Sequence, residues 1–304
     1  MSRSIATTTR GSVQATLASW LELMKPRIAV FVMLAAFTGA LLAHGPDARL
    51  LACAEAALLV GFTAAAAGIF NQVLERDLDA RMRRTQDRPL VTGRVRPRDA
   101  ILLAALLATA GTAGLAVRFT TLAALLALAT LLAYALVYTP LKRLSSFNTT
   151  IGAIPGAMPP LLGYVAVAGE PGLWGWALFA VIFVWQFPHF LAIAWMYRED
   201  YRRAGMKMLP ALPGTEGQAG RQAFLYSLVL LPVSLLPAVR GEAGVVFAVG
   251  ALLLGTAYAV CSALFAHRET QGRARAVLFV SLAYLPLLFS LVLFDPVVHR
   301  ALSS

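Results

Sequence analysis

Nine long apolar runs set the frame for anything this chain can fold into. They fall at residues 26–43, 50–74, 100–117, 119–139, 147–168, 172–197, 223–239, 243–266 and 276–294 of the 304-residue sequence. About 20 mostly apolar residues carry a helix across a bilayer, and a somewhat shorter run crosses with local thinning. Lipid offers no hydrogen-bond partners, so a spanning backbone must satisfy its own polar groups, which here means helices. Composition agrees. The chain is 59% hydrophobic and 13% charged, against about 25% charged in soluble domains. The sequence therefore predicts an all-α integral membrane protein with nine transmembrane helices. Cys53 and Cys261 lie in separate apolar runs and make neither a disulfide framework nor a metal site.

The formal charge of +11 points to topology, not to nucleic acid. Loops facing the cytosol carry the excess of Lys and Arg. With the N-terminus inside, 22 of the 26 cations fall on the cytosolic side, and only Arg49, Arg118, Arg240 and Arg300 fall outside. Nine spans then leave the C-terminus outside. One span more or fewer would scramble this alternation. The basic face also suits anionic lipid head groups. Residues 1–24 read as a cytosolic tail, and 25–304 as one membrane domain. The first apolar run lacks a small-residue cleavage signal before the next loop and reads as a retained helix.

Against this background the stretch GIFNQVLERDLDARMRRTQDRPL, residues 68–90, stands out. Asn71, Glu75 and Asp79 are spaced four apart. On a continuous helix each such step drifts only about 40°, so the three share a face and Asp77 points elsewhere. Oxygen ligands of this kind suit Mg²⁺, which prefers a few carboxylates completed by phosphate and water. The bland alternative is a helix end with i,i+4 charge pairs. Arg84 and Arg88 follow in a stiff loop, where planar guanidinium groups suit a diphosphate.

Two further stretches lie at the same face. WQFPHFLAIAWMYREDYRRAG places His189 about 12 Å below the end of its helix and Asp200 eleven residues beyond, nearly in phase. Trp185 lies one turn deeper. His189 is either a hydrogen-bonded packing residue or a contact for a substrate, haem iron included. YTPLKRLSSFNTTIGAIPGAMPPLLGY supplies the cations Lys142 and Arg143. Its Gly and Pro content predicts an irregular span lining a cavity, or a close helix contact through Gly152 and Gly156. The last three spans carry few polar landmarks and read as scaffold.

Taken together, NQVLERDLDARMRRTQDRPL, YTPLKR, IGAIPGAMPPLLGY and WQFPHF…YREDYRRAG…MLP resemble the haem O synthase branch of the UbiA superfamily of intramembrane prenyltransferases, over roughly residues 20–295. The resemblance implies helices around a central cavity, farnesyl diphosphate as donor, haem b as acceptor and Mg²⁺. It places Asn71, Glu75 and Asp79 at a first metal-diphosphate motif and Asp200 at a second, with His189 and Trp185 on the haem side. It also implies an inner or plasma membrane setting, a cytosol-facing site, and haem A synthase or cytochrome oxidase assembly factors as partners. The sequence departs from the wider pattern in three places. Glu75 stands where Asp is frequent, Ala204 where a second carboxylate would follow Asp200, and Lys207 where this branch often has Pro. Two other readings stay open: a related enzyme with an aromatic acceptor such as 4-hydroxybenzoate or a quinone precursor, and a transporter with a charged gate.

Overall fold

The computed structural model describes residues 17–44 and 49–295, and among these every regular element is helical. Nine helices are long and apolar enough to cross a membrane: α1 Pro26–His44, α2 Leu50–Leu74, α3 Pro97–Arg118, α4 Thr121–Leu141, α5 Asn148–Ala168, α6 Leu173–Met196, α7 Gln218–Val239, α8 Val245–His267 and α9 Gln271–Phe294. Seven begin within three residues of the expected spans. The exceptions, α7 and α9, start five residues early because polar turns extend them beyond the apolar runs. Glu269, from the loop before α9, accepts hydrogen bonds from Gly217 and Gly220 N–H and so caps α7. Thr270 caps α9 by accepting from Arg273 N–H.

Neighbours in sequence pack as neighbours in space; in addition α1 crosses α5, α6 meets α9, α2 touches α4 and α5, and α1 touches α6. The spans α2, α5 and α6 are the most enclosed, and they carry the motifs. Large apolar side chains such as Leu102, Leu253 and Phe279 cover the outside, as a lipid-facing surface requires.

Three expectations are corrected. Residues 17–24 are helical, not a loose tail. Leu23 is fully buried, and its carbonyl accepts from Gln72 Nε2 at 2.7 Å. Residues 1–16 lie outside the described set. Second, α5 runs unbroken through Pro155, Pro159 and Pro160; Gln186 Nε2 reaches across from α6 to the Ala153 carbonyl. Third, the close backbone approach is not at Gly152 or Gly156, which make room for the Tyr138 ring and the Gln186 amide. It lies where α1 crosses α5. A Cβ at Gly163 would overlap the Ala36 carbonyl, and one at Gly39 would overlap the Pro160 carbonyl. Both obstacles are backbone and cannot rotate away. Gly163→Leu is therefore expected to destabilise by about 3 kcal/mol, lowering the melting temperature by roughly 6–10 °C. Gly68→Ala, with open space at its Cβ, is expected to leave it unchanged or raise it. Thermal unfolding in detergent distinguishes the two.

Candidate active site

Both acidic motifs sit where a membrane helix breaks. The α-helix of α2 ends at Leu74, Glu75 leaves helical geometry at φ −98° and ψ 6°, and a one-turn helix Arg76–Asp79 follows. Likewise α6 ends at Met196, Tyr197 breaks it at φ −109° and ψ 20°, and Arg198–Ala204 resumes. The continuous helical phase assumed from sequence thus fails at both places. The outcome for the first motif survives, because the kink keeps all three residues inward. Asn71, Glu75 and Asp79 are 3%, 4% and 1% exposed, while Asp77 is exposed.

Each carboxylate has a cation. Lys142 Nζ lies 2.8 Å from Glu75 Oε1, and Arg88 donates to Asp79 Oδ2 at 2.5 Å. The other Asp79 oxygen, Oδ1, is buried without a hydrogen-bond donor. Burial pushes the Asp79 carboxyl above its usual range, and the Arg88 charge opposes that rise. Asn71 donates through Nδ2 to Thr139 Oγ1 at 3.1 Å, which orients its amide oxygen as the free acceptor. Thr139 is held in turn by its bond to the Tyr134 carbonyl, 2.9 Å away, inside a π-helical stretch of α4, Ala133–Tyr138. Such π segments recur at functional sites. This one also sets Tyr138 beneath Lys142, whose Nζ lies 4.5 Å from the ring centre.

Asp200, 9% exposed, forms its ion pair with Arg203 and not with the first motif. Among the described residues no three His, Cys, Asp or Glu side chains are gathered tightly enough to cage a metal. The two motif loops are nonetheless tied together. Arg84 donates to the Tyr201 hydroxyl at 3.1 Å and lies over the Tyr197 and Tyr201 rings. Lys207 N–H donates to the Lys142 carbonyl at 2.7 Å, and Asn148 holds the Lys207 carbonyl. Arg88 therefore faces the acidic pair, Arg84 fastens the loops, and Arg143 is exposed. Deeper in α6, His189 stacks on Trp185 with ring centres 4.8 Å apart.

Lys25 is the residue that sequence reasoning missed, counting it only as a topology marker. It occupies the left-handed region at φ 52°, a strain of roughly 1–2 kcal/mol for a residue with a Cβ. Such strain persists where surroundings impose it, often at functional sites. Burial first, then the Arg88 and Lys142 charges, lower its pKa to about 7, against the opposing pull of Glu75 and Asp79. The signal available in sequence was its place immediately before the first span. Three partly buried cations and two buried carboxylates thus share one cluster of charge, suited to an anion with several negative oxygens.

The acceptor-rich face fits a hard cation: Asp79 Oδ1 lacks a donor, the Asn71 amide oxygen is free, and Glu75 adds a carboxylate. The comparisons agree with this chemistry. Residues 32–283 match the UbiA prenyltransferase family, and the chain belongs to that family of membrane-embedded prenyl-transferring enzymes. Within it, the chain is 40% identical over 285 residues to the protoheme IX farnesyltransferase of Solibacter usitatus, covering 91% of this chain and 98% of that one. Its fold matches a structure of digeranylgeranylglyceryl phosphate synthase with a TM-score of 0.76 at 17% identity, over 95% of this chain and 99% of that chain. It also matches a UbiA homologue from Archaeoglobus fulgidus bound to DMAPP and Mg²⁺, with a TM-score of 0.64 at 18% identity, over 91% and 99% of the two chains. Membership in this family removes the transporter reading.

Lys25 titrates where its charge responds to an anion. In the free protein its pKa of about 7 leaves it mostly neutral at pH 8. A bound diphosphate favours the charged form and raises that pKa. Binding of magnesium pyrophosphate at pH 8 is expected to take up close to one more proton in wild type than in Lys25→Met, and little more at pH 6, where Lys25 is already charged. Calorimetry in buffers of different ionisation enthalpy reads the difference directly; equal uptake in both proteins at pH 8 removes Lys25 from the site.

Proposed function

We propose that this protein transfers the farnesyl group of farnesyl diphosphate to a vinyl carbon of haem b, with water completing the hydroxyethylfarnesyl side chain of haem O. The observation that carries the reading is the buried charge cluster at the arginine-rich end of the bundle, with His189 set deeper in α6 from the same face. Support for the acceptor comes from the relatives named protoheme IX farnesyltransferase.

In this reading Asn71, Glu75 and Asp79, and Asp200 once released from Arg203, would hold Mg²⁺, which when bound supplies charge neutralisation for the departing diphosphate. Arg88, Lys142 and Lys25 add fixed positive charge at the same oxygens, so departure of the diphosphate leaves C1 of the farnesyl chain cation-like. Arg84 holds the two motif loops at a constant separation, and Arg143 contributes attraction at the rim. Apolar walls keep bulk water from the allylic cation until the vinyl group has attacked. His189 and Trp185 hold the haem. The active site opens to the cytosol of a plasma or inner membrane, where farnesyl diphosphate arrives, and the product passes to haem A synthase or oxidase assembly factors.

Purified protein given haem b, farnesyl diphosphate and Mg²⁺ is expected to yield a pigment heavier by one farnesyl and one hydroxyl group. Failure to modify haem, together with prenylation of 4-hydroxybenzoate or a quinone precursor, would overturn this reading in favour of an aromatic acceptor.

A further inference from the structure

The polar groups of α8 and α9 have no part in diphosphate chemistry, yet they converge on His189. Its Nδ1 lies 2.7 Å from Ser281 Oγ on α9. That hydroxyl also lies 2.6 Å from the Leu278 carbonyl. A carbonyl has no proton to give, so the single hydroxyl hydrogen of Ser281 points to Leu278. The proton between Ser281 and His189 must then come from the imidazole. A neutral imidazole has one N–H; with it on Nδ1, Nε2 is left with a bare lone pair. Among the described residues Nε2 has no hydrogen-bond partner.

The ring is also fixed in orientation. It stacks on Trp185, with 22° between the planes, and Phe190 lies edge-on at 5.4 Å. Trp185 is itself pinned: Nε1 donates to the Ser281 carbonyl at 2.9 Å, and the Tyr258 hydroxyl donates to the Trp185 carbonyl at 3.2 Å. A bond that merely fastened α6 to α9 would leave no reason to orient the second nitrogen. An imidazole whose Nδ1–H is held by an acceptor, with Nε2 free, is the form in which histidine binds a metal centre.

We infer that Ser281 is a positioning residue. By accepting the Nδ1 proton it fixes the tautomer and rotation of His189, so that Nε2 is presented to the iron of the haem substrate. The inference rests on the proposed haem acceptor and adds to it the residue that sets the iron contact.

The test uses the full chain in detergent, titrated with haem b and reduced. Resonance Raman reads the iron–histidine stretch, and absorbance reads haem affinity. His189→Ala is expected to abolish the band. Ser281→Ala is expected to weaken haem binding about tenfold or more and shift the band to lower frequency, and Ser281→Thr, which keeps the hydroxyl, to restore both. Tyr284→Phe removes a hydroxyl on the same helix that bonds Ser234 on α7 and leaves the Ser281–His189 bond, so its band is expected to stay at the wild-type position. An unshifted band in Ser281→Ala overturns the inference, as does an equal shift in Tyr284→Phe, which would mean general loosening. If Ser281→Ala does not fold, Ser281→Cys, a weaker acceptor of similar size, is expected to show a band at lower frequency than wild type; a wild-type band there is equally fatal. The two readings fail separately. Wild-type protein that shows the histidine band but makes no farnesylated haem overturns the proposed reaction alone. Wild-type protein that makes the product without a band from His189 overturns the Ser281 assignment alone.

Discussion

Asp79→Asn is expected to lower kcat by about 10³-fold, roughly 4 kcal/mol of transition-state stabilisation, while leaving the fold intact. The two consequences separate because they depend on different atoms. The amide keeps the volume of the carboxylate and can still accept from Arg88 at the position of Oδ2. It removes a charge whose burial raises the Asp79 pKa. The sign of that shift matters. A carboxyl protonated more readily in the folded state than in the unfolded one gives most to stability at low pH, and the contribution is lost as pH rises through its folded pKa. At neutral pH the charged Asp79 is therefore a cost to the empty protein, and asparagine is expected to match or slightly raise the melting temperature. Loss of activity together with a large loss of stability would instead mark Asp79 as a structural anchor for Arg88.

Lys142→Met is expected to show the opposite pattern, with both stability and activity falling. It strips Glu75 of the cation 2.8 Å away. Breaking a buried pair from one side costs about 3–5 kcal/mol, but Lys25 and Arg88 remain close enough to reduce this to about 2 kcal/mol. The double variant Glu75→Gln/Lys142→Met removes both charges and is expected to recover most of that stability, with no recovery of turnover. Unfolding and steady-state kinetics on the full double-mutant cycle measure the two effects independently. If activity returned along with stability, the pair would be a scaffold element and not part of the machinery.

Much of the fold was legible because lipid imposes strong rules. Long apolar runs had to be helices, and the distribution of 26 cations selected nine spans and their alternation. The ends of α7 and α9 were less legible, since polar first turns lie beyond the apolar signal. At the site, spacing put Asn71, Glu75 and Asp79 on one face, and all three are buried. Periodicity could not reveal that Glu75 and Tyr197 break their helices, because one nonhelical residue scarcely disturbs a repeat of four. Nor could it show that Asp200 takes Arg203 as its partner, or that Lys25 turns inward. The first is one i,i+3 pairing among several nearby cations, and the second depends on contacts between distant segments. The prolines of α5 misled for a related reason. Each proline removes one helical hydrogen bond, and a helix as enclosed as α5 loses a few of them without a break. The last three spans read as bare scaffold because Ser234, Tyr258, Ser281 and Tyr284 are scattered singly through apolar sequence, and only packing brings them together.

The crossing of α1 over α5 also sets which wall of the bundle can yield. Where Gly39 meets Pro160 and Gly163 meets Ala36, backbone rests on backbone, so α1 is a rigid doorpost. The last helix is fastened differently. There α9 is held to α6 at the level of His189 by two polar contacts, from Trp185 and from His189 itself. A flat, bulky acceptor that reached His189 would meet the latch and not the post. The atoms of that latch are the ones its metal centre would meet on arrival.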